Sequence, residues 1–333
     1  MNKKTLLFLL LSALSFIVVF MLALMVGKYN ISTQDFFKAA FTTDEAYQIP
    51  RSIIINLRLP RTIVAGLAGI ALSLSGLLYQ EIFQNKLTSP DLLGVSSGSA
   101  VGAAIAIILG LSSVMVSIFA FAMGIVTVII TILISKLFKN GSSITLILAG
   151  IIVGGFMSAA LSMVKYFADP TTTLTTITYW LMGSFENSTM NIVFTMLPVV
   201  IVSCVVLLML SWRINVVALG PEEAQTKGIN YKVYKYLIIG IATLLTAITV
   251  AFSGTISWVG LVIPHAVRLI SGRDTRRSIP LCITFGGLFM IIVDILSRAF
   301  TKAEIPLSAV TGLLGTIIFV IILVSKRRDY NEN

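Results

Sequence analysis

Apolar runs of about 20 residues recur along almost the whole of this 333-residue chain, divided by short polar breaks. A helix rises 1.5 Å per residue, so a run of that length spans the roughly 30 Å hydrocarbon layer of a bilayer. Composition agrees: 57% of residues are hydrophobic and 11% charged, against about 25% charged in a soluble domain, and the mean hydropathy is +0.98. Inside lipid each backbone N–H and C=O must find its partner within the segment, which selects helices for runs this long. The expected fold is all-α and polytopic, a single transmembrane domain over residues 1–333 with about ten transmembrane helices.

The spans are expected near 5–26, 61–82, 92–110, 114–138, 144–167, 190–211, 234–253, 257–271, 279–299 and 307–325. The first follows Lys3 and Lys4, is long for a signal h-region and precedes no A-x-A cleavage pattern, so it is expected to be retained. The eighth is short and holds Pro264 in its middle, a feature associated with transport pathways. Ten spans put both termini on one side. If that side is the cytoplasm, sixteen of the 24 basic residues lie inside, among them Lys3, Lys4, Lys139, Arg213, Lys326, Arg327 and Arg328. That bias supports both termini inside. It also leaves Arg58, Arg61 and Arg298 at the outer ends of spans two and nine, against the usual charge rule.

The net charge of +10 is explained by those inner segments and implies no nucleic-acid partner. Cys204 and Cys282 sit far apart within apolar segments and are expected to be small core residues. In “GVSSGSAVG”, Gly94, Gly98 and Gly102 fall every four residues on one face, and Gly150, Gly154 and Ser158 do the same in span five. Small residues at that spacing let helix backbones approach closely in lipid, so helix packing is the expected role rather than substrate contact.

No G-x-x-x-x-G-K-[ST] phosphate loop is present, so the chain is not expected to hydrolyse ATP. Secondary transporters carry buried ionisable relays, whereas here the carboxylate well inside a span is Asp294, four residues before Arg298 and on the same helix face. A local ion pair is the expected reading, with a proton relay as the alternative. A membrane enzyme would need more than one histidine and one buried aspartate. Another protein is therefore expected to supply the energy. “RINVVALGPEEAQTKGINYK” (213–232) suggests where, because “PEEAQTK” between two glycine breaks suits a short helix with Pro221 first and acids in its first turn. That elbow is either a docking site or a solvated connection.

“RLPRTIVAGLAGIALSLSGLLYQ” (58–80), “NKLTSPDLLGVSSGSAVGA” (85–103), “ALGPEEAQTKGIN” (218–230), “SGTISWVGLVIPHAVRLISGRDTRRSIP” (253–280) and “EIPLSAVTGLLGTIIFVIIL” (304–323) together resemble the FecCD-type permeases. These are the membrane subunits of type II ABC importers for iron–siderophore complexes, haem and vitamin B12. Lys86 and Thr88 depart from the family pattern, Trp258 stands in a phenylalanine position, and the last span lacks the common Pro-Phe-Phe.

The resemblance implies a ten-helix, non-catalytic subunit of a bacterial cell membrane that pairs with an identical or paralogous permease. Two cytoplasmic ATPases, carrying the ATP and magnesium, would receive the elbow at Ala218, Leu219, Gly220, Pro221, Glu222, Glu223 and Gly228, and no cofactor is expected in this chain. An extracytoplasmic binding protein would deliver cargo and dock acidic residues on Arg58, Arg61 and Arg298, for which lipid-phosphate anchoring is the alternative. His265, one turn from Arg268, makes a poor metal site alone and is expected to be structural or coupling. The expected cargo is an iron(III)–siderophore complex, with haem or cobalamin as the runner-up and an ion-coupled secondary transporter as the competing class.

Overall fold

The computed structural model describes residues 3–331 except Asn30, Thr43, 139–142 and Lys302, with backbone alone for Lys4, Ala40, Phe41 and 325–331. Lys139, and the side chains of Lys4, Lys326, Arg327 and Arg328 in the charge count, therefore lie outside the described residues. The helices are α1 (Lys3–Met25), α2 (Thr33–Phe41), α3 (Gln48–Ser52), α4 (Leu59–Ile82), α5 (Val95–Ile108), α6 (Ser113–Leu137), α7 (Ser143–Phe167), α8 (Thr173–Met182), α9 (Met190–Val217), α10 (Pro221–Thr226), α11 (Tyr231–Ser253), α12 (Val259–Ser271), α13 (Thr275–Ala299) and α14 (Leu307–Asn331). Among the described residues there is no strand. Eight helices are long and apolar enough to cross a membrane, and α5 and α12 are apolar but shorter. The end at which α1 finishes is termed outer and the opposite end inner, after the orientation expected from the charge bias.

Helix α4 is the axis of the bundle. It packs against α13, α11, α12 and α9, while α1 covers α13. A second group, α5 with α6 and α7, joins the first through α11, which touches both α4 and α6. Lipid gives helices no hydrophobic reason to associate, so close backbone contact and interhelical hydrogen bonds hold them. Both are present along α4. A Cβ on Gly69 would lie 2.1 Å from the Gly286 carbonyl oxygen of α13. The Ser73 hydroxyl donates to the Cys282 carbonyl (2.8 Å) and that of Ser75 to the Ala242 carbonyl (2.9 Å).

Span two begins earlier than expected. The helical path runs unbroken from Gln48 through a π-helical turn, Ile53–Arg58, into α4. Pro60 has no backbone N–H to donate, and the wider turn just before it absorbs the missing bond. Span three is correspondingly shorter than 92–110, because Pro90–Leu93 forms a 3-10 turn and Gly94, at φ +81°, reverses the chain before α5 starts. Two outer helices were not expected. Helix α2 carries a cap signal, Ser32 accepting from the Asp35 N–H (3.1 Å), but is too short and polar to read as a span. Helix α8 is hidden by a threonine-rich sequence of low intrinsic helix propensity.

Gly69→Val should prevent the α4–α13 approach and lower folded yield sharply, beyond the roughly 1–3 kcal/mol of ordinary overpacking. Gly240→Ala, whose added Cβ meets nothing within 4 Å, should fold as wild type. Detergent-solubilised yield and thermal unfolding measure both.

Candidate functional site

The final carbonyls of a helix have no partner within it. Helix α1 ends with no basic residue in its last turn, and arginines from other segments reach in. Arg58 donates from Nη1 to the Leu24 and Met25 carbonyls (3.0 and 2.7 Å) and from Nη2 to the Tyr29 carbonyl (2.5 Å). Arg298 donates to the Ala23 carbonyl (2.6 Å). Arg61 donates through Nε to Asp294 (2.7 Å) and bidentately to both oxygens of Glu304 (2.7 and 2.9 Å). The expected Asp294–Arg298 pair is present at 3.2 Å, though Arg298 Nε and Asp294 Oδ2 are not aligned as a hydrogen bond.

Arg58, Arg61 and Arg298 were expected to face outward as docking charges. They are inside, 4%, 8% and 5% exposed. The correction has a physical reason: position along a span does not tell that three helix-end carbonyls and two carboxylates converge on the same guanidinium groups. Glu304 was not singled out, although it is the lone carboxylate between the last two spans. Burial acts to raise the Glu304 carboxyl, but the hydrogen bonds and charge of Arg61, with Lys28 behind, hold it below the usual carboxylate range. Lys28 itself is half exposed, 3.7 Å from Glu304.

A second polar latch closes the inner end of α4. Pro264 lies inside α12 and cannot donate to the carbonyl four residues back, that of Gly260. Gln80 of α4 approaches it instead, with long contacts from Nε2 to the Gly260 and Leu261 carbonyls (3.4 and 3.3 Å), the kind of repair that lets a membrane helix keep a proline. The other end of the same amide accepts from Arg268 Nη1 (2.5 Å), and Arg268 Nη2 donates to Glu81 (2.9 Å). His265 is buried with its ring 5.5 Å from that of Phe319 on α14. The run from Pro264 to Arg268 is thus tied to α4 through Gln80 and Glu81, neither of which was singled out. No metal-ligand cluster of three or more His, Cys, Asp or Glu occurs among the described residues.

At the inner elbow, Gly220 adopts φ +117°, ψ 175°, a region open in practice to glycine alone. Pro221 opens α10 with Glu222 and Glu223 in its first turn. Ala224 and Ile229 are buried while Leu219 is 56% exposed, so the elbow is a fixed surface helix rather than a loose connection. Gln84 donates to the Ala218 carbonyl (3.0 Å), and Gly228 at φ +70° turns the chain toward α11.

Gly98 and Gly102 lie against α6, where a Cβ would fall 1.9 Å from Thr127 Oγ1 and 2.3 Å from the Phe119 carbonyl oxygen. Gly94 belongs to the turn before α5 rather than to its face, and meets Gly154 of α7; Gly150 meets the Leu92 carbonyl. Among the described residues another side of α7 is unpartnered: Ile151, Gly155, Ser158, Ser162 and Tyr166 form one exposed stripe at helical spacing.

Apolar helices around one buried helix, with a surface helix at the inner elbow, define a polytopic membrane domain. The chain belongs to the FecCD transport family, whose profile matches residues 15–325, and is the permease of an ABC importer. It is 36% identical to the molybdate import system permease protein MolB of Haemophilus influenzae, over 93% of this chain and 94% of that one. It is 30% identical to a probable iron chelatin transport system permease protein of Helicobacter pylori, over 95% and 97%. A metal-chelate type ABC transporter solved in an inward-facing conformation matches with TM-score 0.86 and 33% identity, over 95% of this chain and 98% of that one.

Removing one partner of a buried ion pair costs about 3–5 kcal/mol. Arg61→Ala should therefore destabilise far more than Lys28→Ala, and replacing the whole group, Arg61→Met and Arg298→Met with Asp294→Leu and Glu304→Leu, should recover much of the loss in thermal unfolding. The depressed Glu304 carboxyl has a definite sign: its stabilisation is complete above its unfolded value and is lost as pH falls through the folded one. Glu304→Gln should flatten that acid limb of the stability–pH profile.

Proposed function

We propose that this chain is the permease of an ATP-driven importer that carries a metal in chelated form, an iron(III)–siderophore complex, across a bacterial cell membrane, with both termini in the cytoplasm. The observation that carries the cargo reading is the likeness to the metal-chelate type transporter over 95% of the chain. A second reading, uptake of an oxyanion, is favoured by the 36% identity to the molybdate permease. The exposed α7 stripe, small and hydroxyl-bearing between Ile151 and Tyr166, supports pairing with a second permease, identical or paralogous, that would close a pathway against it. Two cytoplasmic ATPases would hold α10 in their grooves, and an extracytoplasmic binding protein would deliver the cargo at the outer end. Haem and cobalamin remain as competitors of the same family.

Uptake of iron-55 presented as several siderophore chelates, against molybdenum-99 as molybdate, in cells with and without the chain, tests the cargo. Retained molybdate uptake with no chelate uptake in wild type would falsify the siderophore reading. The elbow has its own test. Gly220→Val forces a β-branched residue into φ +117° and should re-aim α10. Cargo-stimulated ATPase activity of the reconstituted complex should fall by an order of magnitude or more while the permease still folds. Wild-type stimulation in that variant would remove the elbow from the coupling path.

A further inference from the structure

Three cations gather over three tyrosines at the start of α11. Lys136 Nζ of α6 lies 5.5 Å from the Tyr236 ring centroid, Arg213 Cζ of α9 5.3 Å from that of Tyr234, and Lys235 Nζ 5.8 Å from that of Tyr231. Each distance is within cation–π reach. Lys232 stands exposed on the same turn. Among the described residues none of these four cations is within ion-pair distance of a carboxylate; Lys136, Arg213 and Lys232 are exposed, whereas the enclosed arginines Arg58, Arg61, Arg268 and Arg298 are matched by acids or helix-end carbonyls. Lys235 is 4% exposed. A desolvated ammonium without a counter-ion is expensive beside hydrocarbon.

Next to Arg213 lies a cleft of about 470 Å³ between α9 and α11, lined by Val206, Met209, Leu210, Trp212, Arg213 and Leu237. Its walls are apolar apart from the guanidinium. It continues onto the outward side of α9, where Val202, Val205 and Met209 are 61%, 50% and 79% exposed. Among the described residues no helix covers that side of α9, and Trp212 with the three tyrosines marks the height of the headgroup layer.

We propose that this cleft binds one anionic diacyl phospholipid. Its phosphate would lie at Arg213, in the field of Lys232 and Lys235, with an acyl chain along Val206 and Met209. The apolar cleft selects a lipid over a free phosphate, which would have no use for it. The positive charge selects an anionic over a zwitterionic headgroup, since the carboxylate near this end of α9, Asp274, held by Asn215, is already engaged by Arg276 and Arg277. The inference uses neither the cargo nor the orientation, so it stands or fails apart from the proposed function.

The test uses the full chain assembled with its ATPase. The chain has three tryptophans, and with Trp180→Phe and Trp258→Phe the remaining Trp212 reports on the cleft. Brominated phosphatidylglycerol should quench it at least about fivefold more effectively than brominated phosphatidylcholine, and Arg213→Gln should reduce that preference by roughly fivefold, the effect of one basic side chain near the surface. Native mass spectrometry of the unmodified chain, which needs no tryptophan replacement, should show retained phosphatidylglycerol that Arg213→Gln loses. Equal quenching by the two lipids, an unchanged preference in Arg213→Gln, or no retained anionic lipid would each overturn the proposal. Displacement of the brominated lipid by glycerol phosphate alone would overturn it too, leaving a site for free anions.

Discussion

Everything in this bundle depends on α4 being surrounded on all sides. A helix that never meets lipid can carry groups that lipid would not tolerate, and α4 uses that freedom along its length. Its middle is small, so that Gly69 and Gly76 sit against the backbones of Gly286 and Gly260. Its ends are polar, with Arg61 engaging Asp294 and Glu304 at one end and Gln80 and Glu81 receiving Arg268 at the other. Close contact in the middle requires accurate register, and the two latches fix that register from both ends. Close backbone packing and interhelical polar contacts are the two forces that hold helices together in lipid, and α4 uses both.

The same logic separates what is held from what is left open. α13 and α12 are fastened to α4 by contact and charge, and α1 is fastened through Arg58 and Arg298 at its final carbonyls. By contrast α7 and α9 keep much of their apolar surface outside the chain. Those are the surfaces that a partner subunit and the bilayer can cover. A permease built this way has a closely tied inner body around α4 and a periphery left open on α7 and α9.

How much of this was legible depends on the physical signal each feature leaves in one dimension. The apolar segments, the Pro221 helix and the Asp294–Arg298 pair are local, fixed by run length, by turn chemistry and by i,i+4 spacing; the helix and the pair were read correctly, and of the ten segments eight are helices long enough to span while α5 and α12 are shorter. The start of α4 was misjudged because Pro60 looks like a boundary, while the π-turn that accommodates it leaves no mark in composition. Glu304, Gln80 and Glu81 were missed because their importance lies in partners 243, 188 and 187 positions away. The arginines were located well and understood poorly. A span position tells the depth of a charge, and says nothing of whether the neighbouring helix ends in bare carbonyls.

That last point bears on docking, which the family resemblance assigns to Arg58, Arg61 and Arg298. Contact needs exposed guanidinium groups, and these are enclosed. Steering needs only field. At the outer end of α4 the cations Lys28, Arg58, Arg61 and Arg298 face the carboxylates Asp294 and Glu304, an excess of two positive charges. The C-terminal dipole of α1 offsets about half a charge of that. The remainder sits in a low-dielectric setting where solvent screens it weakly, so it projects outward despite the burial of its carriers. That field exists without breaking the Arg61–Glu304 fork. Lys28, half exposed and 3.7 Å from Glu304, is the one of these cations that reaches the surface. The carboxylates hold the helices together, and the cations around them exceed them in number, so this end of the bundle keeps a positive field although its arginines are enclosed.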